Sequence, residues 1–268
     1  MLRAPAHKEQ NRPAMRGESA MKRSRLAVAV GLALLLAAGE ASAAELAVLC
    51  SNALKSVLEE LGPQFEKASG HKLKIEYGST GPLKAQIEKG QAFDVAILGV
   101  EATDDLIKRG VLAAGSRADI ARSGMGVAIR KGVAKPDLAT TAAFKAALLN
   151  AQTVAYSDGG LTGIYLKGLF DRLGMTEALK PKIRLGRGAE MVGEGKADIG
   201  LTQISEILPV AGAELAGPLP QEVQQYTVFP AAIGVGAAQP DAARALLKFL
   251  VSPDTAKVLK AKGLEPAA

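Results

Sequence analysis

Three short segments place hydroxyl-bearing or glycine residues at the start of a predicted helix, and this combination can bind an anion. The segments are Cys50-Ser51-Asn52, Ser79-Thr80-Gly81-Pro82 and Asp158-Gly159-Gly160-Leu161-Thr162-Gly163. A hydroxyl group and the unpaired backbone N–H groups of a first helical turn hold negative charge without a formal positive charge. A serine or threonine before a helix is also a common N-cap, so one segment alone indicates little. Three such segments in one chain favour an anion site.

Each segment lies between a predicted strand and a predicted helix. Apolar runs predict strands at Glu45–Leu49, Lys72–Tyr77, Phe93–Leu98, Val127–Arg130, Thr153–Tyr156, Ala197–Thr202 and Val228–Val235. Helical spacing predicts helices at Asn52–Leu61, Pro82–Lys89, Thr103–Arg109, Phe144–Leu149, Gly163–Leu173, Asp241–Leu250 and Asp254–Lys262. This alternation predicts an α/β protein with parallel strands covered by helices on both faces. Ligands bind at the carboxyl ends of such strands, so we expect the three segments to converge there.

The start of the chain has the pattern of a secretory signal peptide. Basic residues precede an apolar run at residues 26–38, and Ala41-Ser42-Ala43 follows as a cleavage site. The run is 13 residues long, whereas a membrane-spanning helix needs roughly 20. We therefore expect cleavage after Ala43, a periplasmic location and no stable membrane insertion. Three methionines remain candidate initiators: Met1, Met15 and Met21.

Charge and cysteine content exclude several functional classes. The net charge is +6, of which +4 lies in residues 1–43, so residues 44–268 carry only +2. With no basic block and no series of aromatic residues, we expect no nucleic-acid partner. Cys50 is the single cysteine, which excludes an internal disulfide and a Cys-x-x-Cys metal site. We expect no protein-ligated metal and no cofactor, and without a coiled-coil seam we expect a monomer.

Several longer segments resemble the periplasmic molybdate-binding proteins, which are type II solute-binding components of ABC transporters. The resemblance covers nearly all of the chain after Ala43 and is carried by residues 47–51 (AVLCS), 77–90 (YGSTGPLKAQIEKG), 93–98 (FDVAIL), 162–165 (TGIY), 186–188 (GRG) and 197–200 (ADIG). It implies a two-lobed periplasmic-binding-protein fold with the ligand cleft between the lobes. It also implies a small anionic ligand and an ABC permease as partner.

The two lobes implied by this resemblance can be assigned along the chain. We expect the first lobe to hold residues 44–124 and 229–268, because the chain begins and ends there, and the second lobe to hold residues 125–228. The hinge segments are then expected near Ser123–Val127 and Tyr226–Pro230.

The resemblance also implies a set of ligand-binding residues. In that family two hydroxyls, two backbone N–H groups and a tyrosine hydroxyl surround an oxyanion, and the matching positions here are Ser51, Thr80 with Ser79 beside it, Thr162, Gly186 and Gln203. Gln203 replaces the phenol donor by an amide. Arg187, in the Gly-Arg-Gly turn, is a further candidate for binding an oxyanion or carboxylate, with a surface ion pair as the alternative.

Two functions are compatible with these observations. The first is a periplasmic solute-binding protein that captures a molybdate- or tungstate-like oxyanion, or a small polycarboxylate, for an ABC transporter. The second is an isomerase of trans- and cis-aconitate, known on a similar scaffold, for which the altered pocket could make room. An isomerase needs a base near the reacting carbon. The sequence offers Asp158, Tyr77 and Tyr165 without singling one out, so whether the chain is an enzyme stays open.

Overall fold

Strands and helices alternate along the part of the chain that the computed structural model describes, which is Met1 and residues 43–267. The predicted signal peptide lies outside these residues except for Ala43. No helix among the described residues is both long and apolar enough to cross a membrane.

The strands and helices are numbered in chain order. The strands are β1 Glu45–Ser51, β2 Lys72–Gly78, β3 Val95–Ile97, β4 Ala118–Arg130, β5 Val154–Tyr156, β6 Ile183–Leu185, β7 Ile199–Gln203, β8 Ala213–Pro218, β9 Tyr226–Ile233 and β10 Glu265–Pro266. The α-helices are α1 Lys55–Ser69, α2 Thr80–Glu88, α3 Val100–Lys108, α4 Thr141–Asn150, α5 Leu161–Arg172, α6 Thr176–Leu179, α7 Gly188–Gly193, α8 Ile204–Ile207, α9 Pro240–Leu250 and α10 Ala256–Ala261.

The strands pair in the order β2-β1-β3-β9-β4-β7-β5-β6, with β8 and β10 also pairing with β4. β1 is parallel to β2 and β3, and β5 is parallel to β6 and β7, as the alternating pattern predicts. β4 and β9, which lie between these two parallel groups, are antiparallel to their neighbours. The expectation of a parallel sheet is therefore wrong for these two strands.

The long strand β4 belongs to both halves of this arrangement. Residues 118–124 pair with β9, whereas residues 125–129 pair with β7. The change of partner falls between Gly124 and Met125, and Gly124 is opposite Tyr226 of β9. Both positions fall within the predicted hinge segments. The assignment of residues to the two lobes stays a prediction.

Separate apolar clusters cover the two parallel groups. In the first, one face of β1 buries Leu46, Val48 and Cys50 against α1, while Leu49 packs on the other face with Leu83 of α2. A strand buried on both faces reads as a continuous apolar run, which explains why β1 could be predicted. The second group buries a core between β5, β7, α4 and α5 that includes Val154, Leu201, Phe144 and Phe170. These cores fix the strand ends where the polar segments begin.

Candidate functional site

A small cavity lies at the carboxyl ends of β1, β2, β5 and β7. Its volume is about 50 Å³, and we call it the inner cavity. Its lining residues are Ser51, Ala53, Ser79, Thr80, Ser157, Gly160, Leu161, Thr162, Thr202, Gln203, Glu206 and Phe229. All three segments predicted to converge contribute to this lining. The convergence follows from the parallel pairing of β1 with β2 and of β5 with β7.

Three hydroxyl-bearing residues of the inner cavity, Ser51, Thr80 and Thr162, are buried and make few hydrogen bonds to the protein. The Ser51 hydroxyl accepts a long hydrogen bond from the Ala53 N–H at 3.4 Å, as an N-cap does, and Thr80 Oγ1 accepts from the Gly99 N–H at 3.1 Å. Thr162 Oγ1 contacts only the Met125 sulfur, at 4.0 Å. Since Ser51 and Thr80 act as acceptors in these contacts, both hydroxyls keep a proton to donate to a ligand.

The loop before α5 is held close to its helix by a glycine. A Cβ atom at Gly163 would lie 2.5 Å from the carbonyl oxygen of Ser157, so only glycine fits without a shift of the backbone. This close approach turns the chain tightly enough to bring Ser157 and Thr162 to the same cavity.

Gln203 ends β7 and is only 4 % exposed. Its Nε2 donates to Thr227 Oγ1 at 3.2 Å, while its Oε1 is buried with no partner among the described protein groups. Rotating the amide by 180° would let Oε1 accept from the Thr227 hydroxyl and would turn Nε2 into the free group.

Glu206 is the one titratable side chain among the lining residues of the inner cavity. It is partly buried, and Thr202 Oγ1 donates a hydrogen bond to Glu206 Oε2. Burial raises the pKa of Glu206, and this outweighs the lowering by the Thr202 hydrogen bond. The Glu190 carboxylate also raises this pKa, and the Arg187 guanidinium lowers it. A carboxyl group with a raised pKa is suited to hold or exchange a proton in this space.

A second, larger cavity shares Glu206 with the first. Its volume is about 360 Å³, and we call it the outer cavity; it is lined by Asn52, Lys55, Ser56, Glu59, Arg187, Glu190, Ser205, Glu206, Pro209, Val210 and Ala211. Its cations are already paired, Lys55 with Glu59 at 3.7 Å and Arg187 with Glu190. The outer cavity therefore has a different chemical character from the inner one.

Five of the predicted ligand-binding residues line the inner cavity, and two do not. Arg187 lines the outer cavity, with its side chain 59 % exposed and paired with Glu190. The backbone N–H of Gly186 donates to the Tyr156 carbonyl oxygen at 3.0 Å. The five that come together are Ser51, Ser79, Thr80, Thr162 and Gln203.

The three side chains named as candidate bases lie outside the lining of the inner cavity. Asp158 forms an ion pair with Lys167, and the Tyr165 hydroxyl donates to the Val223 carbonyl oxygen. Tyr77 lies under the Lys55 ammonium, with 5.9 Å between the nitrogen and the ring centroid. Burial raises the pKa of both tyrosines, which disfavours their ionised, basic forms.

Cys50 precedes the first cavity residue but does not line the cavity. Its side chain is fully buried in the core, and burial raises the pKa of its thiol. The thiolate form that a nucleophile needs is therefore strongly disfavoured. This favours the interpretation of Cys50 as a small packing residue.

Sequence reasoning missed Glu206, Thr202, Ser157 and Phe229 as lining residues. Glu206 is the third residue of α8 after the N-cap Gln203, and a glutamate in this position is common in helix caps. This pattern could have drawn attention to Glu206. It would not have shown that the carboxyl group faces a cavity.

The fold is that of a type II periplasmic binding protein. The periplasmic molybdate-binding protein of Azotobacter vinelandii superposes with a TM-score of 0.70 at 22% identity, covering 83% of this chain and 100% of that one. The sulfate-binding protein SubI of Mycobacterium tuberculosis gives 0.69 at 14% identity, covering 84% and 87%. At these identities the likeness shows the fold alone.

Sequence comparison gives the family. Residues 46–265 match the model of the bacterial extracellular solute-binding proteins, and the chain belongs to that family. An aconitate isomerase of a Pseudomonas species is 36% identical, covering 87% of this chain and 94% of the relative. The molybdate-binding protein ModA of Azotobacter vinelandii is 29% identical, covering 90% and 96%.

Proposed function

We propose that this protein captures a small multiply charged anion in the periplasm and delivers it to an ABC transporter. The observation that carries the proposal is the convergence of buried hydroxyl groups from three helix starts on the inner cavity. The residues proposed to bind the anion there are Ser51, Ser79, Thr80, Thr162 and Gln203.

Neutral donors suit the capture and release of an anion. Hydroxyl and amide dipoles replace the water shell of the anion inside a cavity where water is excluded. Removing the hydrogen-bond partner of a buried donor costs more free energy than removing the partner of a donor that water can reach. A binding protein built this way relies on closure of its lobes to complete the site.

The volume of the inner cavity limits the size of the ligand that it can hold. A single water needs roughly 10–15 Å³, so a cavity of about 50 Å³ takes only a few water-sized groups. This is the size range of a small molybdate- or tungstate-like oxyanion. One carboxylate of a polycarboxylate would also fit, with the remainder of the molecule reaching towards the outer cavity across Glu206.

A binding panel tests the proposal. Calorimetry of the purified protein with molybdate, tungstate, sulfate and small di- and tricarboxylates should give saturable binding to at least one anion. Ser51→Ala and Thr80→Ala should each weaken it by about five- to a hundredfold, because each removes one donor worth about 1–3 kcal/mol from a desolvated anion. Absence of binding to every anion would overturn the proposal.

A second function, isomerisation of aconitate, is supported by two observations. The relative named aconitate isomerase is 36% identical over nearly the whole length, and the inner cavity contains the Glu206 carboxyl group with its raised pKa. An ionised Glu206 could take a proton from the methylene carbon of trans-aconitate. The electron pair of that C–H bond would shift the double bond, and Glu206 would return the proton to the former vinyl carbon, so no co-reactant is needed.

Turnover of trans-aconitate decides between the two functions. Chromatography of the purified protein with trans-aconitate should show cis-aconitate if the isomerase function is correct. Glu206→Gln should then abolish turnover while leaving binding measurable. Tight oxyanion binding without turnover would retire the isomerase function.

The location and partner are part of the same proposal. Export requires cleavage of the predicted signal peptide after Ala43, which mass spectrometry of the protein from a periplasmic extract would show. Delivery requires docking on a permease, and genes for a permease and an ATPase beside this one would support it. Light scattering should give the mass of a monomer, and twice that mass would contradict the monomer prediction.

A further inference from the structure

Glu206 presents an electrostatic problem for an anion site. It lies in the wall between the two cavities and contributes the only carboxyl group to the described lining of the inner cavity. The remaining polar groups there are the hydroxyls and the amide described above. An ionised Glu206 would place a second negative charge beside a bound anion in a space with little water, where like charges strongly repel.

The surroundings of Glu206 do not neutralise it. The salt bridges among the described residues do not include Glu206, and its hydrogen-bond donors are the neutral hydroxyl of Thr202 and the backbone N–H of Gln203. From α7 and its N-cap, Glu190 and Arg187 face it as a pair. From α1, Lys55 and Glu59 line the same outer cavity, again as a pair. The charged groups around Glu206 thus largely cancel one another.

We propose that binding of the anion in the inner cavity takes up one proton, which Glu206 and the anion share. The inference rests on the proposed anion-binding function and deepens it. Without the proton, the Glu206 carboxylate and the anion repel each other. With it, they form a hydrogen bond in which only one partner is charged. The proton belongs to the pair of groups rather than to either one, so the uptake is measured with a ligand that is fully ionised in solution.

The shared proton defines the class of ligand. Anions whose oxygens bind a proton readily, such as carboxylates and hydrogen-bearing oxyanions, should be preferred over weakly basic anions such as sulfate. The affinity for a fully ionised ligand should fall about tenfold for each pH unit above the pKa of Glu206 in the free protein. Below that pKa Glu206 is already protonated, so the affinity should be nearly independent of pH.

Calorimetry in two buffers of different ionisation enthalpy measures the proton directly. At a pH above the pKa of Glu206, the wild-type protein should take up close to one proton per anion bound. Glu206→Gln supplies a neutral amide of the same shape, so it should keep the binding, take up no proton and lose the tenfold dependence on pH. Glu206→Asp is the second variant if Glu206→Gln fails to fold. Because it retains a carboxyl group, it should still take up a proton when the anion binds.

Glu59→Gln is the matched control, because Glu59 lines only the outer cavity, is paired with Lys55 and is not among the charges that shift the pKa of Glu206. It should take up the proton as the wild type does. Anion binding without proton uptake by the wild type, or equal uptake by Glu206→Gln, would overturn this inference and leave the binding function intact. No binding to any anion would instead overturn the proposed function.

Discussion

The inner and outer cavities lie on either side of Glu206 and are built from opposite kinds of residue. The inner cavity offers buried hydroxyls such as those of Ser51 and Thr80, each about 5 % exposed at the residue level. The outer cavity offers charged side chains that are about half exposed and already paired, including Lys55 and Arg187. Exposed ion pairs contribute little because water and salt screen them. The comparison teaches that formal charge is a poor guide to the location of the proposed anion site.

The largest loss of anion affinity should come from removing one hydrogen-bond donor at the end of each parallel group of strands. The double variant Ser51→Ala with Thr162→Val should lower the anion affinity at least about thirtyfold, since each lost hydrogen bond to the anion costs about 1 kcal/mol or more. Calorimetry measures the affinity, and thermal unfolding of the free protein checks the fold. An unchanged affinity would show that the anion binds outside the inner cavity.

Gln203 allows a finer test of the inner cavity. Gln203→Leu should weaken anion binding by about tenfold, with a modest loss of folding stability because the amide makes one hydrogen bond to a protein hydroxyl, that of Thr227. Gln224→Leu is the matched control, since that amide bonds both the N–H and the carbonyl oxygen of Met125 and does not line the cavity. Gln224→Leu should lower the free energy of unfolding more than Gln203→Leu does, and it should weaken anion binding less. The reverse pattern would contradict the assignment of Gln203 to the site.

Burying the ionised Glu206 carboxylate costs folding free energy, so the stability of the ligand-free protein should depend on pH. Because the folded pKa is raised, the folded state binds the proton more tightly than the unfolded state does. The free energy of unfolding therefore falls as the pH rises from the unfolded pKa, about 4.3, through the folded pKa, by up to about 1.4 kcal/mol per pH unit. Denaturant titrations over this range should show the fall in the wild type and not in Glu206→Gln.

Substitutions in the outer cavity should have the smallest effect on the anion affinity. Arg187→Gln removes a guanidinium that is more than half exposed and bound to Glu190, so the anion affinity should change less than about threefold. A loss comparable to that of the inner-cavity variants would show that Arg187 leaves Glu190 and reaches the anion on binding. Titration at low and high salt separates this outcome from a general electrostatic effect.

Local patterns predict the parts of this molecule that depend on local physics. Ser51, Thr80 and Thr162 could be placed because each follows a strand, and parallel strands bring their carboxyl ends together. The pairing of Arg187 with Glu190 could also have been anticipated from their spacing of three residues in a helical segment.

Other features depend on contacts between distant segments. The first half of β4, residues 118–124, alternates polar and apolar residues irregularly and forms a strand because β9 and β10 pair with it. The helix α8 is one turn long, and the packing of that turn, which no propensity reveals, brings Glu206 to the cavity. Ser157, which follows β5, and Phe229 of β9 reach the same cavity although they are far apart in sequence.

The burial of Cys50 has a practical consequence for following ligand capture. Thiol-reactive dyes attack the thiolate, and this thiol is both enclosed and held protonated. A cysteine introduced at an exposed position beside the inner cavity, for example by Asp158→Cys, would therefore be labelled alone, with the natural cysteine left in place. Cys50 thus adds no background signal to an optical assay of anion binding.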